Sequence, residues 1–158
     1  MGNWFSRSAR QLRHRFRDQR TRQVLPAAMH QRIGDAIAES DRRHTGLIRV
    51  YVESALPWSY IRRDAPVRER AIMQFSKLRV WDTEENNGVL IYLLQADRAI
   101  EIVADRALAR AVQAAQWQAL VQQISQTLRS QSYEAGLLQA VEMVASLLEQ
   151  HFPPAPSP

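Results

Sequence analysis

The chain has 158 residues, of which 46% are hydrophobic, enough for one domain with a packed core. It contains no cysteine, which excludes disulfides, thiolate zinc sites and a cysteine nucleophile. The formal net charge is +5, and the longest apolar run, residues 89–94, is far too short for a membrane span of about 20 residues.

The excess of positive charge lies at the N-terminus. Residues 1–22 hold seven arginines and one acid, Asp18, for a net charge of +6. The remaining residues hold 14 basic and 15 acidic side chains, for a net charge of −1. Any interaction with a polyanion is therefore predicted for this N-terminal segment, which we call the arm and define as residues 1–25.

The arm has the pattern of a basic amphipathic helix. Phe5, Leu12 and Phe16 recur, with Ala9, at spacings of three and four residues, and arginines cover the remaining surface. This pattern is typical of a helix that lies in a membrane interface and meets anionic headgroups. The residues expected to contact the membrane are Trp4, Phe5, Arg7, Arg10, Leu12, Arg13, Phe16 and Arg17.

Two alternatives remain for the arm. Its arginines could neutralise nucleic-acid phosphates, but an apolar stripe has no use there, so nucleic acid is not the expected partner. It could also be a solvated basic tail. The expected partner is an anionic membrane surface or a membrane protein complex.

The composition also bears on source and location. Arginine supplies 20 of the 21 basic residues, a bias typical of GC-rich bacterial genomes. No apolar h-region follows the arm, so a cleaved secretory signal is not expected. These features favour a bacterial cytoplasmic protein that attaches peripherally to the inner membrane.

After Pro26 the first elements can be assigned in chain order. A helical stripe from Met29 predicts a helix that ends near Ser40, and residues 47–53 alternate as a strand does. Residues 54–63 are predicted as a polar connection. Asp64 and Pro66 then mark a helix start. The apolar stripe of this helix is Val67, Ala71, Ile72, Phe75 and Leu78.

The second half begins with a polar loop, residues 82–88. The continuous apolar run 89–94 predicts a buried strand, and residues 100–103 predict its hairpin partner. Two helices follow. Their stripes are Trp117, Leu120, Val121, Ile124 and Leu128, and then Leu137, Val141, Val144 and Leu148. The proline-rich tail, residues 153–158, is expected to be disordered.

This order of elements predicts an α/β fold. A strand–helix–strand crossover makes the first two strands parallel, and the hairpin adds an antiparallel strand. Helices before and after can cover both faces of the sheet. We therefore expect a three-layer α/β/α sandwich with a small mixed β-sheet over residues 26–152, preceded by the basic amphipathic helix.

The middle of the chain resembles the TPM domain family. The resemblance is carried by KLRVWDTEENNGVLIYLLQADRAIEIVADRAL at residues 77–108, with Asn-Gly-Val-Leu at 87–90 as its best local signature. ESDRRHTGLIRVYVESALP before it and SYEAGLLQAVEMVASLLEQHFP after it extend the resemblance over residues 31–153. The chain is most similar to short bacterial members that lack a signal peptide.

The resemblance implies an α/β/α fold and several functions. The family includes thylakoid-lumen proteins linked to photosystem II repair and a membrane modulator of acetylcholine receptors. Some members are described as acid phosphatases, and some bind calcium near the ends of the sheet. The chain departs from the family pattern at Leu47, where a glutamate is frequent, and at residues 104–108, where a glycine-rich stretch is frequent.

One loop has the composition of a divalent-cation site. Carboxylate and amide oxygens are the ligands that Ca²⁺ and Mg²⁺ prefer, and the loop could meet an acid that follows the last strand. The candidate ligands are Asp82, Glu84, Glu85, Asn86, Asn87 and Asp105. The alternative is a solvated acidic loop whose Asn-Gly pair makes a turn before the strand.

A bound cation would allow phosphoester hydrolysis, with arginines complementing the phosphate. Arg98 and Arg106 are the nearest candidates in sequence, although such arginines are commonly surface residues. No nucleophile elbow, P-loop or zinc motif is present, and His44 is expected to be exposed in a polar turn. The sequence thus leaves two functions: a non-catalytic interaction module at the cytoplasmic membrane face, and a Ca²⁺- or Mg²⁺-dependent acid phosphatase. It assigns no catalytic residue.

Overall fold

The structure is a computed structural model that describes residues 25–156. The arm residues predicted to contact a membrane lie outside the described part, as do residues 157 and 158. In chain order the elements are α1 Ala27–Ser40, β1 Leu47–Glu53, α2 Trp58–Arg62, α3 Val67–Lys77, β2 Gly88–Leu94, β3 Ala99–Ala104, α4 Arg106–Ala111, α5 Ala114–Ser130 and α6 Tyr133–His151.

The three strands form one mixed sheet in the order β1-β2-β3. β1 runs parallel to β2, with Leu47 opposite Gly88 and Glu53 opposite Leu94. β2 and β3 form the antiparallel hairpin. The predicted strands and their relative directions are therefore confirmed.

Each face of the sheet has its own hydrophobic core. On one face the strands pack against residues from α1, α4, α5 and α6, among them Ile33, Leu108, Ile124 and Val144. On the other face they pack against α2 and α3, with Phe75 and Ile61 among the contacts. Because both faces are covered, every residue of β2 is buried. The expected three-layer α/β/α sandwich is confirmed.

The α2–α3 layer differs from the prediction in two details. Residues 54–63, predicted as a polar connection, contain the five-residue helix α2, which is too short to show a helical period. In α3, Ala71 and Phe75 are buried as expected, but Ile72 is 47% exposed and Gln74 is only 2% exposed. Leu78, assigned to the same stripe, follows the end of the helix and is also exposed.

The last helices follow the prediction. Leu120, Ile124 and Leu128 of α5 are buried, and so are the predicted stripe residues of α6. Beyond α6, residues 153–156 form neither helix nor strand, and the disorder of the tail remains a prediction. Among residues 25–156, no helix is both long enough and apolar enough to cross a membrane.

Candidate functional site

The predicted acidic loop lies at the end of the sheet where β2 begins and β3 ends. The register places Val89 opposite Ala104, so the residues just before β2 meet those just after β3. Gly88 accepts a hydrogen bond at its carbonyl from the Asp105 N–H at 2.8 Å, and Asn86 accepts one from the Ala107 N–H at 3.1 Å. Two of the candidate ligands, Asn86 and Asp105, therefore lie at the same site.

Asn87 is held in place by polar contacts at this end of the sheet. It is buried, and its backbone N–H donates to the Thr83 hydroxyl at 3.1 Å. Its side-chain Nδ2 donates to Thr45 Oγ1 at 3.2 Å, which links the loop to the segment before β1. These bonds satisfy a buried amide, so Asn87 has a clear structural role here.

Gly88 allows the loop to pass close to the turn that follows α3. A Cβ at this position would lie 1.9 Å from the carbonyl oxygen of Val80. Any side chain would therefore clash with backbone. The Asn-Gly pair of the sequence signature reflects this close approach.

Asp105 caps the short helix α4. Its Oδ1 accepts a hydrogen bond from the Arg106 N–H at 2.7 Å, while its Oδ2 is buried and has no hydrogen-bond partner among the described residues. Arg106 Nη2 donates to Asn86 Oδ1 at 3.0 Å. Asn86 itself adopts a left-handed backbone with φ of 52°, which asparagine tolerates better than most residues.

The other acidic candidates are on the exposed side of the loop. Glu84 and Glu85 are exposed, and Asp82 pairs with Arg79 at 3.3 Å. Within residues 25–156, no three side chains of the histidine, aspartate and glutamate types lie close enough to hold a metal ion. The structure thus brings Asn86, Asn87 and Asp105 together at one site and places the three exposed acids outside it.

The two predicted phosphate-binding arginines lie at opposite ends of β2. Arg106 follows β3 beside the loop, whereas Arg98 is in the turn that joins β2 to β3. There Arg98 Nη1 donates to the Leu128 carbonyl at 3.0 Å, and its guanidinium lies 5.0 Å from the centre of the Tyr133 ring. Arg98 therefore joins the hairpin to α5 and α6, and the structure does not support a joint phosphate site.

A nearly buried polar cluster that the sequence did not predict joins β1, β2 and α3. Arg70 donates to Glu53 through Nε at 3.0 Å and through Nη2 at 2.6 Å, and the two side chains are only 12% and 15% exposed. The Tyr92 hydroxyl donates to the same carboxylate. The hydrogen bonds that Arg70 donates to Glu53 raise the pKa of Arg70. Burial, together with its own hydrogen bond to Glu53, raises the pKa of Tyr92. A tyrosine inside an otherwise aliphatic buried run was the available signal, since a buried hydroxyl needs a partner.

His44 is buried, contrary to the expectation from the polar turn around it. It is 4% exposed, and neither ring nitrogen has a hydrogen-bond partner among the described residues. Burial lowers the pKa of His44 because the charged imidazolium loses its hydration. The turn that carries His44 packs against the end of α6, where the Thr45 N–H donates to the Phe152 carbonyl at 2.9 Å.

A groove runs between α1 and the outer side of β1. It has a volume of about 470 Å³, and Leu25, Ile33, Ile37, Val50 and Val52 are among its lining residues. α1 itself packs against α6, and the groove lies between α1 and β1. This apolar groove is therefore a second candidate site, and the chain enters the domain at its edge through Leu25.

Comparison with solved structures supports the fold. The NMR structure of the BA42 protein from the psychrophilic bacterium Bizionia argentinensis is similar, with a TM-score of 0.73 and 26% sequence identity over 85% of this chain and 88% of that one. The N-terminal domain of a P. gingivalis protein, also solved by NMR, matches with a TM-score of 0.65 and 18% identity over 82% of this chain and 80% of that one. No curated protein sequence matches the chain.

Comparison with family models agrees with the order of elements and with the resemblance noted in the sequence. The TPM domain model matches residues 19–147, which include α1, all three strands and most of α6. The chain belongs to the TPM domain family.

Proposed function

We propose that this protein is a non-catalytic interaction module that acts at the cytoplasmic face of a membrane through its arginine-rich arm. The observation that carries the proposal is the separation of charge. Residues 1–22 have a net charge of +6, whereas the rest of the chain has a net charge of −1. An anionic lipid surface, alone or beside a membrane protein complex, is the partner that fits this separation.

Ion pairing within the folded domain supports the proposal. Seven of its arginines lie within salt-bridge distance of carboxylates on the same domain, so the domain largely neutralises itself. These arginines are Arg32, Arg42, Arg43, Arg63, Arg68, Arg70 and Arg79. The arm, by contrast, brings one acid for its seven arginines. Its excess charge is therefore the main attraction that the chain offers to a polyanion.

The apolar residues of the arm favour lipid over nucleic acid. Phe5, Leu12 and Phe16 recur at helical spacing, and Trp4 lies at the start of this stripe. Aromatic and aliphatic side chains gain free energy when they enter the acyl boundary of a bilayer. Duplex DNA offers no comparable apolar surface, so the stripe is better explained by a membrane.

The test is partitioning of the full chain onto vesicles that contain anionic lipid. The variant replaces Arg7, Arg10 and Arg13 with glutamine. Because each arginine near an anionic surface contributes about 1 kcal/mol, we expect roughly 100-fold weaker partitioning. The measurement is the bound fraction after sedimentation with increasing lipid.

A control variant tests whether the loss of binding depends on where the charges are removed or only on the change in net charge. Arg62, Arg110 and Arg129 are exposed on the folded domain, and their replacement with glutamine lowers the net charge by the same three units. We expect this variant to bind vesicles nearly as the parent chain does. Equal losses in the two variants would contradict an arm-specific contact.

A second arm variant distinguishes lipid from nucleic acid. Replacing Phe5 and Phe16 with serine keeps every arginine of the arm. Vesicle binding is expected to fall, while any residual retention on duplex DNA should stay the same, because phosphate contacts depend on charge. Loss of DNA retention together with vesicle binding would count against the lipid assignment.

A second candidate function, divalent-cation-dependent phosphoester hydrolysis, is favoured by one observation. Asp105 Oδ2 is buried and has no hydrogen-bond partner within residues 25–156, and it lies next to Asn86 and Asn87. A bound Ca²⁺ or Mg²⁺ would polarise a phosphoryl oxygen and activate water there. The fit is incomplete, because Asn86 Oδ1 already accepts from Arg106 and Ca²⁺ takes about six to eight oxygens.

Calcium and magnesium titrations followed by backbone amide shifts test this candidate. Saturable shifts confined to residues 82–88 and around Asp105, lost in Asp105→Asn, would support a cation site and justify an assay of phosphate release. No shifts at millimolar ion would reject it. Vesicle binding in the same Asp105→Asn variant should be unchanged, which keeps the two functions separable.

A further inference from the structure

The outer edge of β1 is open within the described part of the chain. β1 lies at one side of the sheet, and β2 is the strand that it pairs with. Its seven residues, LIRVYVE, include neither proline nor glycine. The groove of about 470 Å³ between α1 and β1 leaves space along this edge. An unprotected edge of this length presents a row of backbone groups that bond readily to another strand.

The hydrogen-bond pattern shows which groups face the open edge. The Glu53 carbonyl accepts from the Gln95 N–H at 2.9 Å, so Glu53 directs its backbone groups toward β2. These directions alternate along a strand, and Arg49 and Tyr51 therefore also face β2. It follows that Ile48, Val50 and Val52 direct their N–H and C=O groups outward.

The side chains of β1 are complementary to a reversed copy of the same strand. Arg49, Tyr51 and Glu53 lie on one face of the sheet, with the base at the start of the strand and the acid, which also binds Arg70, at its end. Arg49 is exposed, and Tyr51 is half-buried against the ring of Tyr92, 6.1 Å away. On the other face, Val50 and Val52 are apolar but only half-buried.

We propose that the occupant of this edge is a second copy of the chain, whose β1 pairs antiparallel with β1 about a two-fold axis at Tyr51. This register places Arg49 opposite Glu53 of the second copy and brings the two Tyr51 side chains together. Val50 then lies opposite the second copy's Val52, and the backbone N–H and C=O groups of both residues point toward the partner strand. Cross-strand pairs of opposite charge, of aromatic rings and of β-branched residues are those that stabilise antiparallel strands.

The proposed dimer extends the sheet from three strands to six. A two-fold axis perpendicular to the sheet keeps both α1 helices on the same face. Leu25, where the arm joins the domain, lines the groove beside β1, so two arms would leave the dimer on one side. The pairing does not rest on the membrane proposal, but it would let two arms engage one surface and raise the avidity.

The first test is analytical ultracentrifugation of the full chain over a wide concentration range. We expect a reversible equilibrium between the 18.2 kDa monomer and a species of twice that mass. Arg49→Glu places like charges opposite each other at both ends of the strand pair, and should weaken dimerisation about tenfold or more. Arg62→Glu makes the same charge change at an exposed site on α2 and should leave the equilibrium unchanged.

Amide hydrogen exchange gives a second readout that does not depend on a variant. The N–H groups of Val50 and Val52 should become protected as the concentration rises, whereas that of Tyr51, bonded to β2, should be protected throughout. A chain that stays monomeric at every concentration would overturn the proposal. So would a dimer that Arg49→Glu does not weaken, or protection of Val50 that is independent of concentration, since another segment of the same chain would then cover the edge.

Discussion

Two glycines of the folded domain meet opposite surroundings, and they can be tested as a pair. A Cβ on Gly88 would lie 1.9 Å from the Val80 carbonyl oxygen, whereas a Cβ on Gly34, inside α1, would meet nothing within 4 Å. We expect Gly88→Ala to destabilise the domain by about 2 kcal/mol or more, because backbone must move. Gly34→Ala should stabilise it by up to about 1 kcal/mol, because alanine favours the helix.

Urea denaturation followed by circular dichroism measures both effects. Both variants replace glycine with alanine, so the substitution changes the conformational entropy of the unfolded chain in the same way in each. The difference between them therefore reports on the folded state. A Gly88→Ala domain as stable as the parent would show that the loop is not held against Val80. The contact between the Asn-Gly signature and the turn that follows α3 would then have to be rejected.

Buried His44 predicts a loss of stability in mild acid. Its pKa in the folded state is lowered from 6.5 by burial, so below about that pH the unfolded chain binds the proton more readily than the folded one. The free energy of unfolding should therefore be constant above this range and fall as the pH decreases below it. His44→Gln cannot titrate and should flatten the fall, measured as the urea midpoint at about pH 7.5 and about pH 5.

Two further points distinguish the effect of His44 from the effects of other titratable groups. Hydrogen bonds from arginines lower the pKa values of Glu69 and Glu134 below 4.5, so their effects on stability appear at more acidic pH. His30→Gln removes an exposed imidazole of α1 and serves as the control. If that control flattened the profile as much as His44→Gln, burial of His44 would not be the cause.

At the level of elements, two arginine–glutamate pairs tie α3 to the sheet, and they differ in burial. Arg70 binds Glu53 of β1 in a nearly buried setting, whereas Arg68 binds Glu101 of β3 at 3.1 Å on the surface. Glu53→Gln leaves the Arg70 charge buried without its counterion and also disturbs the Tyr92 hydroxyl. We expect a loss of about 3 kcal/mol, against about 1 kcal/mol or less for Glu101→Gln.

Thermal or urea unfolding of the two variants checks this difference. The same helix, the same residue types and the same charge change are involved in both. Equal losses would mean that the Glu53 carboxylate is hydrated and that the ion pair beneath α3 contributes no more than a surface one.

The elements themselves could be predicted where the hydrophobic pattern is long or regular. The alternation from Leu47 to Glu53 and the continuous run that follows Gly88 gave both parallel strands, and their order along the chain gave the three layers. α2 was not predicted because five residues are too few to show a helical repeat of apolar side chains. In α3, Ile72 was predicted to be buried but is exposed, whereas Gln74 is buried instead. The helical period does not show which side of the apolar stripe packs against the sheet.

The candidate site was predictable only in part. The sequence grouped six candidate ligands, and the β2–β3 register brings together the segments of three of them, Asn86, Asn87 and Asp105. The other three are Asp82, Glu84 and Glu85. The sequence also grouped Arg98 with Arg106, which the same hairpin places at opposite ends of β2. The Glu53–Arg70–Tyr92 contact joins residues far apart in the chain, so only the packing of α3 on the sheet could reveal it.

For the whole molecule, the central feature is a nearly neutral domain that follows a strongly basic arm. The domain's arginines lie largely beside its own carboxylates, as in the Arg43 contacts with Glu142 and Glu149. Neither the fold nor the family model assigns a partner to the arm. The proposed membrane role therefore rests on the arm's charge, which salt screens, and on its apolar stripe.

The most direct test of this account is partitioning of the full chain onto anionic and neutral vesicles at low and physiological salt. We predict binding to the anionic vesicles that weakens as salt rises, with little binding to the neutral ones, because screening shortens the reach of the arm's charges. Absence of binding to anionic vesicles at low salt, or equal and salt-independent binding to both kinds, would contradict a membrane role for the arm.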